Sequence, residues 1–516
     1  MAATEDGNIV SSFPLKGHRD SVLCLDHSSH AVTGDTHGIL SSGDYLLSGS
    51  QDGTARLWDL KGSKRQTCLC ISTQKRPVQA CRFGGSVITA DSSKGPGDAF
   101  LSVYLGVQDE LWGYDLRMTN VPAIQILQPT DAAWTMASPT SHHPRTVEQD
   151  IATNHKDDDD LNEINQISTT IVNNYTTNYQ RRRFVATACD DGTVRMIPLH
   201  NTDLGLGSPK GNDSSANQRI TTLHHCDNNS NEGCLVTTAV FSPLQDTKTH
   251  SNTACLLASG GTDCTVRLWD PFKPRKPLHS ISMVGTADND HGNQIYNPPF
   301  VHHLVWNPSG TALLAGCGDG SIGVLSTEHD SAEPNSAPEN SQARTGGGKR
   351  KNCNNKKKKS NKSHTDKAKN RLEGGWSVKH RLFDAHGGSI ASLAFPGWDN
   401  PSASTSLRDR LFCSIGNDGM IALWDLEGSF PISTSDSCVP DLEKLKLSSG
   451  PLGPKTMLAW RHAEGKPNWI VSRQSPSPCE SGTTSSPTST QGDPWTLFVC
   501  DTSPVITVYQ LPPMCR

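Results

Sequence analysis

Residues 48–60 read SGSQDGTARLWDL, and the same pattern returns along the chain as ATACDDGTVRMIPL (186–199), ASGGTDCTVRLWD (258–270), AGCGDGSIGVLS (315–326) and SIGNDGMIALWDL (414–426). Each copy places small residues before an Asp, follows that Asp with Gly or another small residue, and continues into an alternating strand. Two weaker copies, LSVYLGVQDELWGYDLR (101–117) and LFVCDTSPVITVYQL (497–511), bring the number to seven.

The pattern has a direct physical reading. Asp-Gly makes the tight turn that lets two antiparallel strands pair, and small residues pack where chains crowd near an axis. After the turn, Thr54, Arg56 and Trp58 alternate with Ala55, Leu57 and Asp59, so neighbouring side chains face opposite sides of a sheet. A four-stranded sheet cannot bury both faces alone, whereas radial stacking of such sheets buries them and leaves only short edges. The repeat therefore predicts an all-β fold, a seven-bladed β-propeller over residues 1–516. Apolar segments upstream of the signatures, such as SVLCLDH from Ser21 and TTAVFSP from Thr237, supply the innermost strands.

The seventh signature ends close to residue 516 and leaves no chain for that blade's last strand. Residues 8–16, with Ile9, Val10 and Phe13, are expected to supply it and close the ring. From Asp52 to Asp501 the signatures recur every 75 residues or so, against about 40 to 45 for a minimal repeat. The surplus falls in polar stretches rich in Ser, Pro and Asn, at about 129–160, 327–375, 429–454 and 473–494, which read as disordered insertions.

One insertion differs in charge. Residues 349–371 hold eleven Lys or Arg and one acid, Asp366, a net +10 in a chain whose total is −5. An acidic ring with one basic loop argues against nucleic-acid binding across the propeller surface and directs any such binding to the loop. Lys349, Arg350 and Lys351, followed by Lys356, Lys357, Lys358 and Lys359, also have the form of a split nuclear-localisation signal; a solvated basic tract looks the same.

Composition narrows the class further. Hydrophobic residues are 34% of 516, low for a compact enzyme. The start, MAATEDGNIVSSF, is acidic without an apolar core, and no run approaches the roughly 18 apolar residues that cross a bilayer. An intracellular protein, nuclear or cytoplasmic or both, is expected. Most of the sixteen cysteines sit in strand-like contexts and read as buried thiols. The pairs His142–His143, His224–His225 and His302–His303 are not metal sites on this reading, because adjacent strand residues point to opposite faces. Cys68 and Cys70 lack a matching ligand pair at finger-like spacing. No phosphate-binding loop, nucleophile elbow or zinc-protease motif occurs, so neither catalysis nor a cofactor is expected.

These signatures resemble the WD-repeat family. The third-blade stretch LNEINQIS with FVATACDDGTVRMIPL, the fourth-blade TTAVFSPL with LLASGGTDCTVRLWD, and the closing NWIVSRQ with LFVCDTSPVITVYQL carry the likeness over about 300 residues. The family implies a network joining His18, Asp52 and Trp58 within a blade. It also implies, through a subset of its members, a substrate receptor docking on the damaged-DNA-binding adaptor of a cullin-4 ubiquitin ligase. Such receptors carry Trp-Asp-x-Arg at a blade-strand end. Here Tyr114, Asp115, Leu116 and Arg117 match with Tyr for Trp, and Trp58, Asp59, Leu60 and Lys61 match with Lys for Arg. Gln108 and Gly113 interrupt the pattern in the second blade. The alternative is a nuclear scaffold that contacts RNA or ribosome-assembly partners through the Lys-rich loop. On either reading the ring is monomeric, its partners are proteins or RNA, and no membrane is involved.

Overall fold

In a computed structural model the chain forms seven four-stranded antiparallel sheets. The structure describes residues 11–28, 45–60, 67–87, 100–115, 124–126, 163–173, 181–199, 220–225, 233–243, 255–274, 276–284, 297–327, 375–395, 409–427, 454–462, 465–474 and 495–511. The predicted insertions, the Lys-rich stretch among them, lie outside these residues for most of their length.

The chain enters on β1 (Ser11–Lys16) and then builds blade 1 from β2 (Val22–His27), β3 (Tyr45–Ser50), β4 (Thr54–Asp59) and β5 (Thr67–Ser72). Blade 2 holds β6 (Val78–Val87), β7 (Phe100–Val107), β8 (Glu110–Asp115) and β9 (Ile124–Ile126). Blade 3 holds β10 (Ile164–Asn173), β11 (Arg181–Cys189), β12 (Thr193–Leu199) and β13 (Thr221–His224). Blade 4 follows with β14 (Val236–Phe241), β15 (Leu257–Gly261), β16 (Thr265–Trp269) and β17 (His279–Ser282). Blade 5 has β18 (Val301–Trp306), β19 (Ala312–Cys317), β20 (Ile322–Thr327) and β21 (Trp376–Leu382). Blade 6 has β22 (Ile390–Ala394), β23 (Leu411–Gly416), β24 (Met420–Asp425) and β25 (Lys455–Arg461). Blade 7 combines β26 (Pro467–Gln474), β27 (Trp495–Asp501) and β28 (Val505–Leu511) with β1.

The ring closes at β1. Phe13 pairs with Val508 and Leu15 with Ile506. Leu15 is buried with Val22, Trp58 and Phe498, while Ser12, Pro14 and Lys16 point outward. Ile9 and Val10 lie outside the described residues.

The core lies between blades. Leu314 and Ile322 of blade 5 pack with Ile390, Phe412 and Trp424 of blade 6, for example. Each tight turn between second and third strands lies on one face of the ring, here the turn face. In five blades it uses a left-handed residue after the Asp: Gly53, Gly192, Gly320 and Gly419 have φ of 73° to 79°, and Cys264 takes the place in blade 4 at 59°. Blade 2 has a shorter turn with Gln108 at 54°, which accounts for the irregular signature there. The opposite face receives the strand ends Thr327 and Trp376, Asp425 and Lys455, and Gln474 and Trp495, which are cross-strand partners flanking three of the long insertions.

Every innermost strand carries a β-bulge near its start. Around the hub these strands expose backbone groups that no fifth strand pairs, and side chains from adjacent blades fill the gap. Asp26 accepts the N–H of Phe83 (2.8 Å), Gln166 that of Ala239 (2.9 Å), Thr238 that of Leu304 (3.1 Å) and His303 that of Leu393 (3.3 Å). Ser472 donates to the carbonyl of Phe395 (2.9 Å).

Cys24, Cys81, Cys189, Cys255 and Cys413 are buried free thiols, whereas Cys68 and Cys70 are free and exposed. Burial pushes the Cys255 and Cys413 thiols up to about 12. Cys234 is disulfide-bonded.

Candidate interaction surface

The turn face is built on polar networks that start from an acidic residue of each signature. In blade 1, His18 Nδ1 lies 3.2 Å from Asp52 and its Nε2 2.7 Å from Ser48 Oγ, which also accepts the Trp58 indole N–H at 2.9 Å. Asp52 further accepts the Thr54 hydroxyl and the Arg19 N–H. Burial holds His18 down to about 4 despite the attraction of Asp52, so the imidazole is neutral near pH 7 and the link to Asp52 is a hydrogen bond. Burial raises Asp52, but hydrogen bonds from Thr54 and Arg19 and the nearby His18 prevail and hold the carboxyl below its usual range.

Blade 6 repeats this arrangement with His386, Asp418, Ser414 and Trp424. Blade 4 repeats it with His225, Asp263, Ser259 and Trp269, the imidazole turned over so that Nε2 faces Asp263. In blade 7, Val499 stands where the serine belongs and Tyr509 where the tryptophan belongs. The phenol reaches the histidine directly: His462 Nδ1 lies 2.7 Å from Tyr509 Oη and Nε2 2.8 Å from Asp501.

The other blades substitute arginine. Met283 occupies the position of the histidine that would serve blade 5, and Arg381 from β21 pairs with Asp319 at 2.7 Å. In blade 3 Arg195 pairs with Asp191. In blade 2 Arg76 pairs with Glu110 and lies over the Trp112 ring, 5.0 Å from its centroid. Arg381 and Arg76 reach their partners from other turns of the chain, whereas Arg195 lies four residues from Asp191 and reads in the sequence as an ordinary strand cation.

The residues read as an adaptor-docking surface are described only in part. Trp58 and Tyr114 are 1% and 2% exposed. Asp59 closes β4 half-buried and Asp115 closes β8, while Lys61 and Arg117 lie outside the described residues. So do Lys349, Arg350, Lys351 and Lys356 to Lys359. His225 and His303 are buried, each beside a more exposed histidine, and among the described residues no group of three or more His, Cys, Asp or Glu is placed to hold a metal. No helix among them is long and apolar enough to cross a membrane.

Residues 7–59 and 217–270 match the family model of the WD domain, G-beta repeat. Each match runs from the outer strand of one blade through three strands of the next, including one His–Asp–Ser–Trp network. The chain is a WD40-repeat β-propeller protein. This WD40 ring is a non-catalytic, protein-interaction fold.

The propeller is 24% identical over 328 residues to a WD repeat-containing protein 53 homolog of Dictyostelium discoideum, covering 61% of this chain and 64% of that one. It is 40% identical over 85 residues to Restriction of telomere capping protein 1 of Candida tropicalis, 16% of this chain and 8% of the relative. It is 32% identical over 82 residues to Ribosome biogenesis protein YTM1 of Coccidioides immitis, 15% of each. The chain thus spans less than two thirds of the length of each relative.

These relatives correct the expectation of a cullin-4 substrate receptor. Two of them carry telomere capping and ribosome biogenesis in their names, and neither name refers to a ubiquitin ligase.

Proposed function

We propose that this WD40 propeller is a nuclear, monomeric scaffold that contacts RNA within a ribosome-assembly setting, through the Lys-rich tract 349–371. The observation that carries the reading is the net +10 of that tract in a chain otherwise acidic. Its flanking strands, β20 and β21, end together at Thr327 and Trp376, on the face away from the tight turns. A rigid ring can hold a protein while its basic tract contacts RNA. The similarity to a ribosome biogenesis protein supports this setting.

The test is binding of the full chain to a ribosomal RNA fragment over a range of salt. Phosphate neutralisation releases counterions, so affinity falls steeply as salt rises, and deletion of 349–371 removes most of both affinity and slope. Equal affinity and slope in a folded deletion variant overturns the reading. A fluorescent fusion that stays nuclear after Lys356, Lys357, Lys358 and Lys359 are all changed to Ala overturns the assignment of nuclear import to this tract.

A further inference from the structure

On the face that bears Thr327 and Trp376, blade 4 holds an exposed aromatic ring followed in the chain by exposed lysines. β16 ends at Trp269, and the chain then turns on Asp270, whose carboxylate accepts the Phe272 N–H (2.9 Å) and whose carbonyl accepts the Lys273 N–H (3.0 Å). Pro271 and Pro274 stiffen the same turn. Phe272 is thereby held outward, 48% exposed, with Lys273 and Lys276 exposed beside it.

The ring is also braced from the adjacent blade. Phe184 meets Phe272 edge-on, with centroids 6.0 Å apart and planes at 86°. Phe184 directly follows Arg181, Arg182 and Arg183, which occupy the first positions of β11 at this end of blade 3. Asp270 is the acid of this stretch, and it is 8% exposed with a carboxylate oxygen committed to the turn.

The exposed phenyl ring offers apolar surface for stacking, and every nucleobase offers a matching π-surface. Exposed lysines one and four residues further along the chain fit the phosphates that flank such a base. The surrounding charge argues against an apolar protein segment, whose docking would desolvate these ammonium groups without pairing them.

We propose that Phe272, with Lys273 and Lys276, is a stacking site for a base of single-stranded RNA at the edge of blade 4. The proposal rests on the RNA reading above and locates a contact outside the Lys-rich tract.

The experiment is a fluorescence-anisotropy titration of the full chain with fluorescein-labelled oligouridylate at several salt concentrations. Phe272→Ala should weaken binding about tenfold or more, the scale of one lost stacking contact, while Phe272→Tyr, which keeps the ring, should bind like the parent. Lys273→Ala with Lys276→Ala should flatten the log-affinity against log-salt slope by about 1.4, at about 0.7 for each neutralised phosphate of a single strand.

Parent-like binding by a folded Phe272→Ala variant overturns the proposal; if deletion of 349–371 still abolishes binding, the wider RNA reading survives it. No binding by the parent chain removes both. A polyglutamate peptide that displaces the RNA and loses affinity equally in Phe272→Ala would identify an acidic protein segment as the occupant, and the proposal falls.

Discussion

His303 of blade 5 meets Trp469 of blade 7 edge-on, with ring centroids 4.9 Å apart and planes at 90°. The two blades are not neighbours, so this contact spans the hub. On its other side His303 Nε2 lies 3.4 Å from the Gln166 side-chain nitrogen of blade 3, and its Nδ1 accepts the Leu393 N–H. A neutral imidazole suits that place. Burial, helped by the positive charge of Arg82, holds His303 down to about 3.

Acid should therefore loosen the ring. His303 and His18 titrate near the ordinary 6.5 when unfolded but at about 3 and about 4 when folded. Between these limits the unfolded chain binds protons that the folded one refuses, so stability is full above about pH 6.5 and falls as pH drops through the window. Denaturant unfolding at a series of pH values should show this slope, and His303→Gln should make it shallower. An unchanged slope in that variant would show that His303 is not a source of it.

Loss of the closing strand should be severe. Deleting residues 1–16 removes β1, strips β28 of its outer partner and uncovers the apolar surface beneath Leu15. The ring should aggregate or lose its cooperative thermal transition. Leu15→Ala alone should cost about 2 to 5 kcal/mol. Calorimetry of both variants measures this, and a truncated chain that melts like the parent contradicts it.

Blade 7 should depend on a single phenol. Tyr509→Phe leaves His462 Nδ1 buried without the partner it has at 2.7 Å, at a cost of about 1 to 3 kcal/mol. Tyr509→Trp should not restore stability, because Val499 lacks the hydroxyl through which an indole N–H is relayed in blades 1, 4 and 6. Equilibrium denaturation of both variants checks the pair of expectations.

Blade 6 contains a buried ion pair. Arg410 holds the Asp425 carboxylate through two nitrogens, at 2.9 to 3.1 Å, and Asp425 is 1% exposed. Arg410→Ala should destabilise by about 3 to 5 kcal/mol, whereas Arg410→Ala with Asp425→Leu should recover part of the loss. A double-mutant cycle by urea unfolding decides between this and an additive outcome.

The fold is legible in the sequence because its cause is local. An Asp-Gly turn flanked by alternating strands needs only a dozen residues, and the repeat number fixes the ring. Sequence also names His18, Asp52 and Trp58, but not Ser48, because nothing marks a small residue before a turn as the atom that joins an imidazole to an indole. Arg381, Arg195 and Arg410 stay hidden for a related reason. Arg381 reaches its partner from the far side of a long insertion, and Arg195 and Arg410 look like ordinary strand and loop cations. Burial of Trp58 and Tyr114 is set by blade packing, which four residues in a row cannot reveal.

The hub bridges join neighbouring blades through side chains, separately from the backbone that links them. Asp26, Gln166, Thr238, His303 and Ser472 each clasp a neighbouring blade from within. A nick in the polypeptide between two blades would therefore leave the pieces gripping one another, and the severed propeller should still travel as one particle until a denaturant frees its axle.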